Sequence, residues 1–95
     1  MNTTTMVTEM NAFETTIRHY QETLRQNWDG EGAEAPNETA ANLATTWIVQ
    51  ALQRNIKIRS IEPATENGIF ILAEENGQRI QAEFLNTGEQ LIYLL

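Results

Sequence analysis

The chain has no cysteine, a single histidine, and no apolar run near the ~20 residues that a membrane-spanning helix needs. The first absence excludes disulfides, thiolate metal sites and a cysteine nucleophile, and it leaves the cellular compartment open. With His19 as the sole imidazole, a Ser-His-Asp arrangement would have to use it. There is also no phosphate loop, dinucleotide fingerprint or nucleophile elbow. A protein that is not an enzyme and takes no cofactor is expected. Clustered basic residues are missing too: six Lys and Arg stand against thirteen Asp and Glu, for a net charge of −7. Binding to a phosphate backbone draws on clustered cations, so no direct nucleic-acid partner is expected. Met1-Asn2-Thr3-Thr4-Thr5 carries no basic segment ahead of an apolar stretch. No secretory signal is therefore predicted, and a cytoplasmic location with no membrane partner is the default.

What is present fits one small α+β domain over residues 1–95, with residues 1–5 expected to fray. A chain of this size builds only a modest core, so burial in a dimer or complex is a useful supplement. Its acidity serves solubility, or it attracts a basic protein surface as a nucleic-acid mimic would.

Met6, Met10, Phe13, Ile17, Tyr20 and Leu24 recur at steps of four and three, which places them on one stripe of a first helix. His19 lies off that stripe and is expected to face solvent. Pro36-Asn37-Glu38 then starts a second helix, with Asn37 as N-cap and Glu38 favourable against the helix dipole. Ala40, Leu43, Ala44, Trp47, Ile48, Ala51 and Leu52 form its apolar side, and the alanines permit close approach to the first helix. Asn55 can take the left-handed conformation that ends it.

From Ile56 the period becomes two, divided by turn signals at Thr65-Glu66-Asn67-Gly68, Glu75-Asn76-Gly77-Gln78 and Asn86-Thr87-Gly88-Glu89. Four antiparallel strands follow. Taking Asn76-Gly77 as a two-residue loop pairs Ala73 with Ile80, Ile71 with Ala82 and Ile69 with Phe84, all on the face that meets the helices. The reverse carries Glu74 opposite Arg79, an expected ion pair, along with Phe70 and Leu72. An even loop in the last hairpin puts Leu85, Ile92 and Leu94 on that reverse face and Leu91, Tyr93 and Leu95 on the core face. A three-residue loop exchanges the faces of strand four. Ile61 is a further candidate for the reverse. So much apolar surface on a second face predicts that something covers it, either a partner or the fold itself.

Asn27-Trp28-Asp29-Gly30-Glu31-Gly32-Ala33-Glu34-Ala35-Pro36 separates the two helical patterns and holds the only aspartate. Asp29, Glu31 and Glu34 are its carboxylate cluster, but the spacing fails for an EF-hand, whose fifth and twelfth positions would here be Ala33 and Ala40. Trp28 can cap the core with its ring while its N–H finds a carbonyl. Gly30 and Gly32 allow backbone angles closed to other residues, and Asp29 can bond nearby amides. A structured corner between helices is the main expectation. The stretch resembles a group of small, largely uncharacterised bacterial and phage proteins that share N-W-D-G-x-G-A-x-x-P. Where that group often has an aromatic residue, this chain has Glu31. The resemblance runs from about Leu24 to the end and implies a small stand-alone protein of bacterial or phage context, with no activity attached.

The expected fold is a helical hairpin packed on one face of a four-stranded antiparallel meander, in the order ααββββ. The expected function is a non-catalytic, protein-binding inhibitor of antitoxin, immunity or anti-CRISPR type that occludes a toxin or a defence-system component. Phe70, Leu72, Leu85, Ile92 and Leu94 would supply the partner or dimer contact, with Asp29, Glu31 and Glu34 as a secondary acidic contact and no metal bound. Two alternatives stand beside it: a structural homodimeric module, and a metal-dependent enzyme built on the same three carboxylates.

Overall fold

The computed structural model describes residues 3–95, with side chains from Met6 onward. Helices α1 (Thr3–Thr23) and α2 (Glu38–Gln53) precede strands β1 (Lys57–Ala64), β2 (Gly68–Glu75), β3 (Gln78–Leu85) and β4 (Gln90–Leu94). The strands form one antiparallel sheet in the order β1-β2-β3-β4, and both helices lie across one of its faces, as the periodicities predict. Of the segment expected to fray, α1 takes in the backbone of Thr3–Thr5, and Met1 and Asn2 lie outside the described residues.

Local chemistry sets the helix ends. The Asn37 side chain accepts from the Ala40 N–H at 2.9 Å and caps α2. At the other end Asn55 adopts φ 62°. Its N–H bonds to Leu52 and the Ile56 N–H to Ala51, at 3.1 and 2.9 Å. This double closure turns the chain straight into β1.

Ile17 is the fully buried member of the α1 stripe, while Met6, Met10, Phe13 and Tyr20 pack against the core from its margin. Leu24 falls just beyond the helix. The Tyr20 hydroxyl donates to the Ile61 carbonyl on β1 at 2.8 Å. Burial, with Glu62 nearby, raises its pKa above the ordinary 10.0. On α2, buried Ala40, Ala41 and Ala44 let the helices approach closely, and Ile48 and Leu52 reach the sheet. The rings of Trp47 and Phe84 meet at 5.9 Å, tilted by 48°. Phe84, Ile69 and Ile71 are fully enclosed, so truncating any of them would cost roughly 2–5 kcal/mol.

The β2–β3 hairpin has the expected two-residue turn, with Asn76 and Gly77 at φ 50° and 82°. Its register pairs Ile69 with Phe84, Ile71 with Ala82 and Ala73 with Ile80 on the helix side.

The last hairpin departs from the even-loop reading. Leu85 pairs with Glu89 through an N–H···O bond of 2.9 Å, and the Gly88 N–H closes a turn onto Leu85 at 2.9 Å with φ 97°. The loop is therefore Asn86-Thr87-Gly88, three residues long, and its odd length exchanges the faces of β4. Ile92 pairs with Ala82 and Leu94 with Ile80, which places both on the helix side. Leu91 and Tyr93 take the reverse face, opposite Glu83 and Gln81. The helices lie over β1, β2 and β3, so Ile92 and Leu94 stay 47% and 71% exposed beyond them.

Two further corrections concern β1. A bulge between Ile58 and Ser60 shifts its alternation, so Ile61 pairs with Ile71 and is buried on the helix face, 8% exposed. The bulge also brings Arg59 to Glu74 at 2.6 Å. That pair takes the place of the expected Glu74–Arg79 bridge, although Glu74 and Arg79 do sit opposite each other.

Candidate functional site

The reverse of the sheet is its open side. Across it, paired positions form two rows. In one, Glu62, Phe70, Glu83 and Leu91 alternate acid with apolar; in the other stand Ser60, Leu72, Gln81 and Tyr93. Phe70, Leu72 and Leu91 are half-buried by their neighbours, and Tyr93 is 46% exposed. Between the apolar residues of β2 and those of β4, the Glu83 carboxylate accepts a 3.2 Å bond from the Gln81 amide. No ion pair joins Glu83 to a cation among the described residues. A half-buried carboxylate set among apolar side chains makes a complementary seat for a basic group ringed by apolar surface.

Of the residues expected to form this surface, Phe70 and Leu72 are where alternation placed them. Leu85 is withdrawn: it is only 9% exposed, at the end of the sheet where Ala33 and Ala64 are also buried. Ile92 and Leu94 face the other way. Leu91 and Tyr93 are the members that sequence reasoning assigned to the core face, and the signal for them was Gly88 as the third residue of an odd loop.

The Asn27–Pro36 connector is a closed, internally bonded corner. The Asn27 N–H bonds to the Ala33 carbonyl at 2.7 Å, and the Asn27 side chain accepts from the Gly32 N–H. One Asp29 oxygen accepts from the N–H groups of Glu31 and Ala33 at 2.8 and 3.0 Å. These bonds, that from Glu31 foremost, hold the Asp29 carboxyl below the usual carboxylate range. Trp28 donates its indole N–H to the Glu34 carbonyl at 3.1 Å, and its half-exposed ring lies outside the core clusters.

The corner is then fastened to two strand turns by asparagines. Asn67 accepts from the Glu34 N–H at 2.7 Å. Asn86 accepts from the Asn37 N–H at 2.9 Å and donates to the Ala35 carbonyl at 3.0 Å. Asn67 and Asn86 are themselves joined through the Asn86 N–H and the Asn67 carbonyl at 2.7 Å. One pole of the molecule is thus a welded group of loops displaying Glu31, Glu34, Glu38, Glu66 and Glu89, all exposed.

No family model matches the chain, and comparisons with curated proteins and with solved structures return no match either.

Asp29 anchors the turn with its carboxylate, while Glu31 and Glu34 are exposed residues. Among the described residues, no group of three His, Asp or Glu side chains is placed to hold a metal ion together. A cleft of about 560 Å3 lies between α1 and β1, lined by Glu9, Phe13, Ile56, Lys57 and Ile58, apart from those three carboxylates. Among the described residues, no helix is long and apolar enough to cross a membrane.

Proposed function

We propose that the protein is a non-catalytic inhibitor that binds another protein through the open face of its sheet and occludes it, in the manner of antitoxins, immunity proteins and anti-CRISPR proteins. The observation that carries this reading is the pattern on that face: Phe70, Leu72, Leu91 and Tyr93 interleaved with Glu62 and Glu83. An antiparallel sheet with one side packed on helices normally shows water a polar reverse; here the reverse mixes apolar anchors with carboxylates. That composition suits a partner surface that is both basic and apolar, such as the nucleic-acid groove of a toxin or defence nuclease. Apolar side chains would supply the buried centre, and the acidic pole, on a chain whose overall net charge is −7, would speed encounter with a basic partner.

The test is co-purification from a bacterial host followed by reconstitution with the purified partner. A stoichiometric complex that blocks the partner's activity is expected, and it should be lost with Phe70→Glu/Leu72→Glu and weakened at least tenfold by Glu83→Arg. The same complex forming undiminished with the folded double variant would overturn the reading. The expected salt dependence is a falling association rate as ionic strength rises.

A further inference from the structure

The two edges of the sheet are built differently. On β1 the edge carries Pro63, the bulge at Arg59 and the charges of Lys57, Arg59 and Glu62, and Tyr20 occupies the Ile61 carbonyl. Each of these features keeps another strand from pairing there. On β4, Gln90–Leu94 has no proline, no charge and no break in its register with β3.

Backbone parity shows what that second edge offers. Glu89 and Leu95 bond inward, to Leu85 and Arg79 at 2.9 Å. Odd-numbered residues of β4 therefore turn their N–H and C=O groups toward β3, and Gln90, Ile92 and Leu94 turn theirs outward. Beside this open ladder, Ile92, Tyr93, Leu94 and Leu95 are 47%, 46%, 71% and 61% exposed.

We infer that β4 is a dimerisation edge, pairing antiparallel with β4 of a second copy about a two-fold axis at Ile92. The strand has five residues with Ile92 at its centre, so the register that uses its full length sets Ile92 against Ile92 and Gln90 against Leu94. In that register every outward N–H and C=O finds a partner. Leu91 of each copy lies beside Tyr93 of the other on the open face. Charge selects this seam as well. Two chains of net charge −7 repel, and β4 brings them together along a segment without ionised side chains, with Glu89 only flanking its ends. The result is a continuous eight-stranded sheet whose open faces run together, so that two partner-binding surfaces lie side by side. A seam this short is at the small end of specific interfaces, so the dimer is a weak one that tightens as salt screens the flanking carboxylates.

The experiment is light scattering and sedimentation across about 1–500 μM at low and high salt. The mass should move from 10.8 kDa toward twice that value with concentration, sooner at high salt. Ile92→Lys should hold the protein at the single-chain mass. So should Ile92→Pro, which removes an outward N–H and leaves the β3 bonds intact. Because the chain has no cysteine, Ile92→Cys supplies an independent readout: at the two-fold, Cα atoms about 5.5 Å apart permit a disulfide, and the variant should oxidise to a covalent dimer. A wild type that remains at 10.8 kDa throughout, or binds a foreign strand at β4 as a single chain, overturns the inference. So does a dimer that survives Ile92→Lys and Ile92→Pro. The open-face variant Phe70→Glu/Leu72→Glu should still dimerise, which separates this seam from the partner surface.

Discussion

Replacing Asn86 by alanine tests whether the asparagine fastening holds the connector to the sheet. The side chain makes two bonds, accepting from the Asn37 N–H at 2.9 Å and donating to the Ala35 carbonyl at 3.0 Å. Alanine removes both. The backbone bonds of Asn86, from its N–H to Asn67 and from the Asn37 side chain to its carbonyl, survive the change. A net hydrogen bond contributes about 0.5–1.5 kcal/mol, and an orphaned group that water cannot reach costs more. The Asn37 N–H is in an exposed residue and recovers water, whereas Ala35 is half-buried and its carbonyl is only partly rehydrated. The expected loss is therefore about 2 kcal/mol, or roughly 10 °C in melting temperature for a domain of this size. Urea denaturation followed by circular dichroism measures it. A second arm uses Asn67→Gly, which removes the acceptor of the Glu34 N–H while easing the φ of 71° at that position. Because both asparagines hold the same connector, the double variant should depart from additivity by at least about 0.5 kcal/mol. A loss below about 0.5 kcal/mol for Asn86→Ala, or strict additivity, would refute the fastening.

Three other outcomes are expected. Asp29 has a depressed carboxyl pKa in the fold, so its contribution is present above the unfolded value of about 4 and is lost as pH falls through the folded value. Asp29→Asn should accordingly be less stable than wild type at neutral pH, with the gap closing below about pH 4 in urea midpoints measured from pH 2 to 7. Tyr20 is shifted the other way: its contribution is whole below about 10 and is lost as pH rises through the folded value. Tyr20→Phe should cost about 1 kcal/mol at pH 7 and should flatten the alkaline limb of the stability curve, which denaturation at pH 8 to 11.5 would reveal. At Gly68, an added Cβ would run into the Phe84 carbonyl and come within 2.8 Å of the Leu85 Cα. Gly68→Ala should therefore lose about 2 kcal/mol or more, and a wild-type denaturation midpoint would show that β2 and β3 can separate there at little cost.

The β2–β3 pairing was legible residue by residue because Asn76-Gly77 admits a tight two-residue turn and no close competitor. Its neighbours were less so, for reasons of parity. Gly88 takes an extra loop position at positive φ, and that single residue turns Ile92 and Leu94 from the open face to the helix side. Arg59 does the same service on β1, where one unpaired residue returns Ile61 to the core and carries a guanidinium to Glu74 ahead of Arg79. Periodicity counts positions and does not register an inserted one. The connector's internal bonds followed from its composition, whereas its attachment to Asn67 and Asn86 joins residues 33 and 49 or more apart, which no local pattern encodes. The candidate face was accordingly half visible: Phe70 and Leu72 lie on the well-determined strand, and Leu91 and Tyr93 on the strand whose loop parity was open.

The contrast between the two ends of the sheet has a practical side. Where the connector meets the turns at Asn67 and Asn86, an inserted residue would break bonds to distant parts of the chain. At the opposite end, Asn76 and Gly77 are exposed, and their turn is closed by the two strands it joins. An affinity tag, fluorophore or fused domain placed between them would sit as far as the sheet allows from the fastened loops, leaving the fold to assemble around a handle it does not use.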